Sequence, residues 1–201
     1  MTLSKSLTRR NVPSREGFCG YAQLGSLVRA GLAGTIASMA ASRQSSSDSR
    51  SPGGLPFIDE HSIEVPASPA ETWAALLRTF GGSANGLFTA YAKVIGVDPI
   101  DSEGPLDEVG STRTGFRVIG VSAPGVLVLA GKHRFSEYSL EWTISETPGG
   151  RSRLGATTKA RFPGIHGRAY KALVIDSGAH ARITRRMLAA VARRAIRETR
   201  D

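Results

Sequence analysis

A single cysteine, Cys19, in 201 residues excludes an intramolecular disulfide framework and fits a reducing compartment, with the cytoplasm as the expected location. The four histidines, His61, His133, His166 and His180, include no pair spaced to ligate a metal from one helical turn, so neither a metal site nor a cofactor is expected. There is no Gly-x-Ser-x-Gly elbow, and Ser136 and Ser139 lack a base-and-orienter set, which argues against nucleophilic catalysis. Gly125, Gly131 and the pair Gly81-Gly82 form no phosphate cradle. No apolar run reaches the 20 or so residues that a bilayer requires. Tyr21 to Ala41 comes nearest and is interrupted by Arg29, so stable membrane insertion is not expected.

The chain does carry an excess of positive charge, formally +9, the composition of many nucleic-acid binders. Its distribution points elsewhere. Residues 1–56 hold seven Lys and Arg against two acids, residues 182–201 hold seven against two, and the body between holds twelve against thirteen. The body is near neutral and no base-reading motif is present, so a nucleic-acid partner is not expected.

Residues 1–56 are rich in Ser, Arg, Gly and Ala. The run Ser45-Ser46-Ser47-Asp48-Ser49-Arg50-Ser51-Pro52-Gly53-Gly54 has too little apolar surface to bury and reads as a linker. The acid-poor segment before it also fits an organellar transit peptide. The simpler reading is a disordered or weakly helical extension, translated from a start upstream of Met39. One domain is expected over residues 57–201.

That domain opens with Phe57 to Val65, where Ile63 and Val65 alternate with Ser62 and Glu64 as in a half-buried strand. Pro66-Ala67-Ser68-Pro69-Ala70-Glu71 then starts a helix, with Ser68 as N-cap, Pro69 at the first position and Glu71 closing a capping box. Trp73, Leu76, Leu77 and Phe80 form its apolar stripe, and Gly81-Gly82 ends it. A second short helix is expected from Asn85 to Ile95, carrying Leu87, Phe88, Tyr91 and Val94. Gly96 to Gly110 reads as loop and edge.

A meander follows. Thr112 to Val121 sets Phe116 and Val118 against Arg113 and Arg117, and Pro124-Gly125 turns the chain into the apolar run Val126 to His133. Phe135 to Ser145 points Tyr138, Leu140, Trp142 and Ile144 one way and Glu137, Ser139, Glu141 and Thr143 the other. After Pro148-Gly149-Gly150, Arg151 to Phe162 turns Leu154, Ala156, Thr158 and Ala160 inward. Such an antiparallel sheet has one dry and one wet face. The last element runs from Pro163-Gly164 to about Ile196 and repeats Tyr170, Leu173, Val174, Ile183, Met187, Ala190 and Val191 at helical spacing. Asp176-Ser177-Gly178 interrupts it, giving either one kinked helix or two abutting ones.

Strand, two short helices, a meander and a long C-terminal helix is the order of the helix-grip fold, an α+β architecture whose curved antiparallel sheet wraps around that helix. The segment Ile63 to Trp73 resembles the first strand and helix of the SRPBCC superfamily, the START-like and Bet v 1-like group that includes polyketide cyclases and lipid carriers. Leu129 to Leu140, followed by Phe162 to Tyr170, is similar to a bacterial subgroup of that superfamily without assigned activity. The resemblance covers residues 57 to about 197. It implies a cavity between sheet and helix that takes up a hydrophobic small molecule, and it implies no particular reaction.

Candidate cavity residues are His133, Tyr138 and Trp142 on adjacent strand positions, Phe116 and Leu140 beside them, and His166 and Tyr170 at the start of the C-terminal helix. If that start crosses the end of the His133 strand, His133, His166 and Tyr170 converge at the cavity mouth as proton donors or acceptors. The competing reading gives the histidines to backbone groups at element ends and the aromatic residues to the core. Binding of a hydrophobic or amphipathic small molecule without catalysis is the leading expectation. The alternative is a cyclase-like or dehydratase-like enzyme in which His and Tyr act on a polarised carbonyl. An anionic-membrane contact through the arginines of the C-terminal helix is a third, weaker reading.

Overall fold

The computed structural model describes residues 54–82 and 86–200; residues 1–53 of the expected N-terminal extension, and Asn85, lie outside this set. The elements are β1 (Phe57–Val65), α1 (Pro69–Phe80), α2 (Gly86–Ile95), β2 (Thr112–Arg113), β3 (Phe116–Ser122), β4 (Val126–His133), β5 (Ser136–Thr147), β6 (Arg151–Arg161), α3 (Gly164–Lys171), a π-helical turn (Ala172–Asp176) and α4 (Ala179–Glu198). The strands form one antiparallel sheet in the order β1-β6-β5-β4-β3-β2. This is the helix-grip order, and the fold is α+β as the sequence predicts.

α1 begins where its chemistry dictates. Ser68 is extended, its Oγ accepts from the Glu71 amide, and the Glu71 carboxylate accepts from the Ser68 amide at 2.7 Å. The helix buries Trp73, Ala75, Leu76 and Phe80 against β5 and β6. Thr72 Oγ1 lies 2.8 Å from Ser152 Oγ, both fully buried, so α1 is tied to β6 by a hydroxyl pair inside the core. In α2 the apolar positions Leu87, Phe88 and Tyr91 lie outside the described side chains; Val94 is exposed.

The register of β5 on β6 sets Trp142 opposite Ala156 and Ile144 opposite Leu154. These residues join Val65, Leu127, Leu188 and Val191 in one core. α4 packs on α1 and β1 and touches β6, so it covers the β1/β6 side of the concave face and leaves the β3–β5 side to other elements. Its far end is pinned by Glu198, which accepts from Arg78 of α1 and from Arg194 one turn back.

One stretch differs from its sequence reading, and another settles between the two forms it allowed. Thr112 to Val121 is not one strand. Thr114-Gly115 makes a two-residue turn, with Gly115 at φ +89°, and folds β2 back onto β3 as a hairpin; only glycine takes that left-handed conformation without strain. The hairpin buries Arg113, whose guanidinium donates to the carbonyls of Gly104 and Thr112. Loop 96–110 is thereby fastened to the sheet edge and delivers Leu106 to the core. The C-terminal element resolves into two abutting helices, α3 and α4, and the interruption falls at Asp176-Ser177-Gly178, with Gly178 at φ +74°.

Thr72→Val removes one partner of the core hydroxyl pair and leaves Ser152 Oγ unsatisfied, so urea unfolding should show a loss of about 1–3 kcal/mol. Adding Ser152→Ala should recover part of that loss, and a double variant as unstable as the two single losses combined would contradict the pairing.

Candidate functional site

The uncovered side of the concave face is a cavity of about 190 Å³, walled by β3–β6 on one side and by α3, the π-helical turn and the first half of α4 on the other. Its walls are mostly apolar, including Phe80, Val97, Leu140, Phe162, Ile183 and Met187. The polar groups gather at two places. One is the β4–β5 end, with His133, Ser136 and Tyr138; the other is where α4 begins, with Thr158, His180 and Thr184. A shallower depression of about 400 Å³ on the outer face, lined by Asp98, Arg117, Ile119, Lys132 and Glu137, is open to solvent, and Lys132 and Asp98 there pair with each other.

The hydrogen bonds at the first pole fix its protonation. The Phe135 amide donates to His133 Nδ1 at 3.1 Å, so Nδ1 carries no proton and the neutral ring carries one on Nε2. Nε2 lies 3.0 Å from Ser136 Oγ and donates to it, which leaves the Ser136 hydroxyl proton without an acceptor among the described residues. Burial lowers the His133 pKa from 6.5 to about 4, which keeps the imidazole neutral at pH 7. Tyr138 Oη donates to the Gly115 carbonyl at 2.9 Å. The pole therefore presents one donor to the cavity, the hydroxyl of Ser136.

An aromatic group surrounds it. The His133 ring meets Tyr170 edge-on at 4.8 Å, Tyr170 stacks on Phe135 at 5.6 Å, and Tyr138 meets Phe116 at 5.3 Å. α3 thus does cross the end of the His133 strand. The face it turns inward runs through Gly167 and Tyr170, with Val174 continuing it in the π-helical turn. Gly167 is buried where a Cβ would stand 2.7 Å from the Phe162 backbone.

Five of the seven sequence candidates, Phe116, His133, Tyr138, Leu140 and Tyr170, therefore line the cavity, and two do not. His166 is exposed, because close approach of α3 to the Phe162 backbone needs the glycine next to it. Trp142 is 1 % exposed and packs on Phe80 at 5.3 Å; it lies further along β5, under α1, and belongs to the core. The sequence reading missed Ser136, Thr158, His180 and Thr184. A signal was available for two of them, since His180 and Thr184 fall on the stripe of Ile183 and Met187.

No family model matches the chain, and no curated protein matches it. Solved structures similar to it include a protein of Nitrosospira multiformis, 13% identical with a TM-score of 0.47, matched over 71% of this chain and 99% of that one. Ara h 8.0201 is 9% identical with a TM-score of 0.45, over 71% and 99% of the two chains. The ZhuI aromatase/cyclase of Streptomyces sp. R1128 is 17% identical with a TM-score of 0.44, over 73% and 96%. The helix-grip assignment rests on the strand order and helices described above. Among the described residues no group of three or more His, Cys, Asp or Glu is placed to hold a metal ion, and no helix is long and apolar enough to cross a membrane.

Because the His133 pKa is lowered on folding, the unfolded chain takes up a proton below pH 6.5 that the folded chain takes up only near pH 4. Stability should therefore be fully present above pH 6.5 and fall between 6.5 and about 4, at up to about 1.4 kcal/mol per pH unit for one fully buried group and less for this partly exposed one. Urea midpoints at pH 7 and pH 5 should differ less in His133→Gln than in the parent. An equal difference would place the acid sensitivity elsewhere.

Proposed function

We propose that this protein binds a compact hydrophobic or amphipathic small molecule in the cavity between its sheet and its C-terminal helices, without transforming it. The observation that carries this reading is the largely apolar cavity with a hydrogen-bond donor at its β4–β5 end, Ser136 Oγ, oriented by a neutral His133. An apolar pocket with a few oriented polar groups is the usual form of a small-molecule site. Burial of the ligand's apolar surface supplies affinity, at about 25 cal/mol per Å². The Ser136 hydroxyl supplies orientation by donating to an acceptor such as a carbonyl oxygen. At about 190 Å³ the cavity falls below the roughly 300–1,000 Å³ of drug-sized pockets, which favours a ring system of modest size over a long acyl chain. The single cysteine is in keeping with a cytoplasmic role.

The alternative, a cyclase-like or dehydratase-like enzyme, has less support from the residues first considered for it. Both ring nitrogens of His133 are engaged, and His166 is exposed, so neither is placed to move a proton in the cavity. The one imidazole there with an unoccupied nitrogen is His180. An enzymatic reading would have to run through it.

Ala160 is buried on β6 and lines the cavity. Ala160→Trp should fill the cavity and weaken binding of the neutral dye N-phenyl-1-naphthylamine by about tenfold or more, the equivalent of about 1.4 kcal/mol, with the near-ultraviolet circular dichroism retained. Native mass spectrometry of the parent should show a co-purifying compound that displaces the dye. A parent that binds no dye and carries no compound would overturn the reading.

A further inference from the structure

The second polar pole holds a group of side chains that the binding reading does not use. Asp59 and His61 come from β1, Thr158 from β6, and His180 and Thr184 from the first turns of α4. Asp59 stands between two imidazoles: its Oδ2 is 3.3 Å from His61 Nε2 and its Oδ1 is 3.4 Å from His180 Nε2. A carboxylate only accepts, so each nitrogen facing it carries a proton. His180 Nε2 also lies 3.0 Å from Thr158 Oγ1 and 3.5 Å from Thr184 Oγ1. All these contacts fall on the same nitrogen. Nδ1 of His180 is then the unprotonated nitrogen, and among the described residues it takes part in no hydrogen bond. Asp59 Oδ1 is itself fully buried and has no well-aligned donor, His180 Nε2 being its nearby cation-forming group.

From this arrangement we propose that Asp59 and His180 form a proton-accepting dyad at the cavity wall that takes up the proton of a weakly acidic hydroxyl of the bound molecule. The inference rests on the cavity being the ligand site. On binding, the ligand O–H bond breaks and an N–H bond forms at His180 Nδ1, leaving the oxyanion beside an imidazolium. The ligand keeps the electron pair and the proton stays on the ring, so no other reactant is needed. Asp59 acts as a positioning residue: it fixes the Nε2–H tautomer and stabilises the imidazolium through a buried oxygen that otherwise lacks a partner. In the empty cavity burial lowers the His180 pKa, so the ring is neutral, while Asp59 opposes that shift and favours the protonated form. The titratable groups facing it are Asp59 and His61.

The same geometry selects the charge of the ligand before it binds. Among the described residues no Lys or Arg lines the cavity, and Asp59 sets a negative charge behind the wall, so a permanent anion would be desolvated without a cation to meet it. A neutral weak acid enters uncharged and ionises only against His180. The two poles together fit a compact molecule with an acceptor at one end, for Ser136, and an acidic hydroxyl at the other.

The test uses 7-hydroxycoumarin, whose phenolate absorbs at longer wavelength than its phenol. Bound to the full chain, its ionisation midpoint should fall by about 1–3 pH units. His180→Gln should abolish the shift while changing the dissociation constant of the phenol form, measured at a pH below its ionisation in the complex, by less than about tenfold, and Asp59→Asn should reduce the shift. Nitrogen-15 spectra of the parent need no variant: His180 should be the neutral Nε2–H tautomer when free and imidazolium in the complex. Binding as phenol, a shift that persists in His180→Gln, or a His180 that stays neutral in the complex each overturns the dyad alone. Failure of the probe to bind overturns both the dyad and the cavity reading.

Discussion

One helix is narrower than the sheet it must cover. Six strands at about 4.8 Å spacing span roughly 24 Å, whereas a helix with its side chains is about 10–12 Å across. α4 is placed over β1 and β6 and against α1, where Leu188, Val191 and Ala195 complete the core. The concave side of β3 to β5 is left for a short helix, a π-helical turn and the ring of Tyr170. Packing there is by aromatic edges around a space, not by interdigitated aliphatic side chains, and the cavity is what remains.

That division also sorts the polar groups. Under α4 and α1 the buried polar atoms are paired with each other, as Thr72 is with Ser152. Around the cavity, pairing among the described residues is left incomplete at the Ser136 hydroxyl proton of one pole and at His180 Nδ1 and Asp59 Oδ1 of the other. The charged groups follow the opposite rule. Exposed Arg185, Arg186 and Arg193 lie on the outside of α4, while its one acid among the described residues, Glu198, is held by Arg78 and Arg194.

The sequence made the elements legible because their causes are local. A capping box needs only Ser68 and Glu71, and the alternation of Tyr138, Leu140, Trp142 and Ile144 needs only β5. What it concealed depends on contacts between distant segments. Thr114-Gly115 looks like a pair of strand residues until a buried Arg113 and loop 96–110 explain why the chain turns there. His166 and Gly167 are neighbours, and only the approach of α3 to Phe162 decides that the glycine and not the histidine faces in. Trp142 has the right periodicity for the cavity but the wrong distance along β5. Asp59 and His180 come from opposite ends of the domain, and no pattern within either segment announces that they meet.

The π-helical turn at Ala172–Asp176 has no buried residue, yet its Val174 and Ile175 form part of the cavity wall. This stretch of wall is a single layer thick, bounded by the left-handed Gly178 and closed outwardly by one exposed ion pair, Lys171 to Asp176. Segments with few buried contacts open at a small fraction of the free energy of global unfolding. This turn is therefore the part of the wall expected to open first, and a substitution that stabilises the core is expected to leave its opening unchanged.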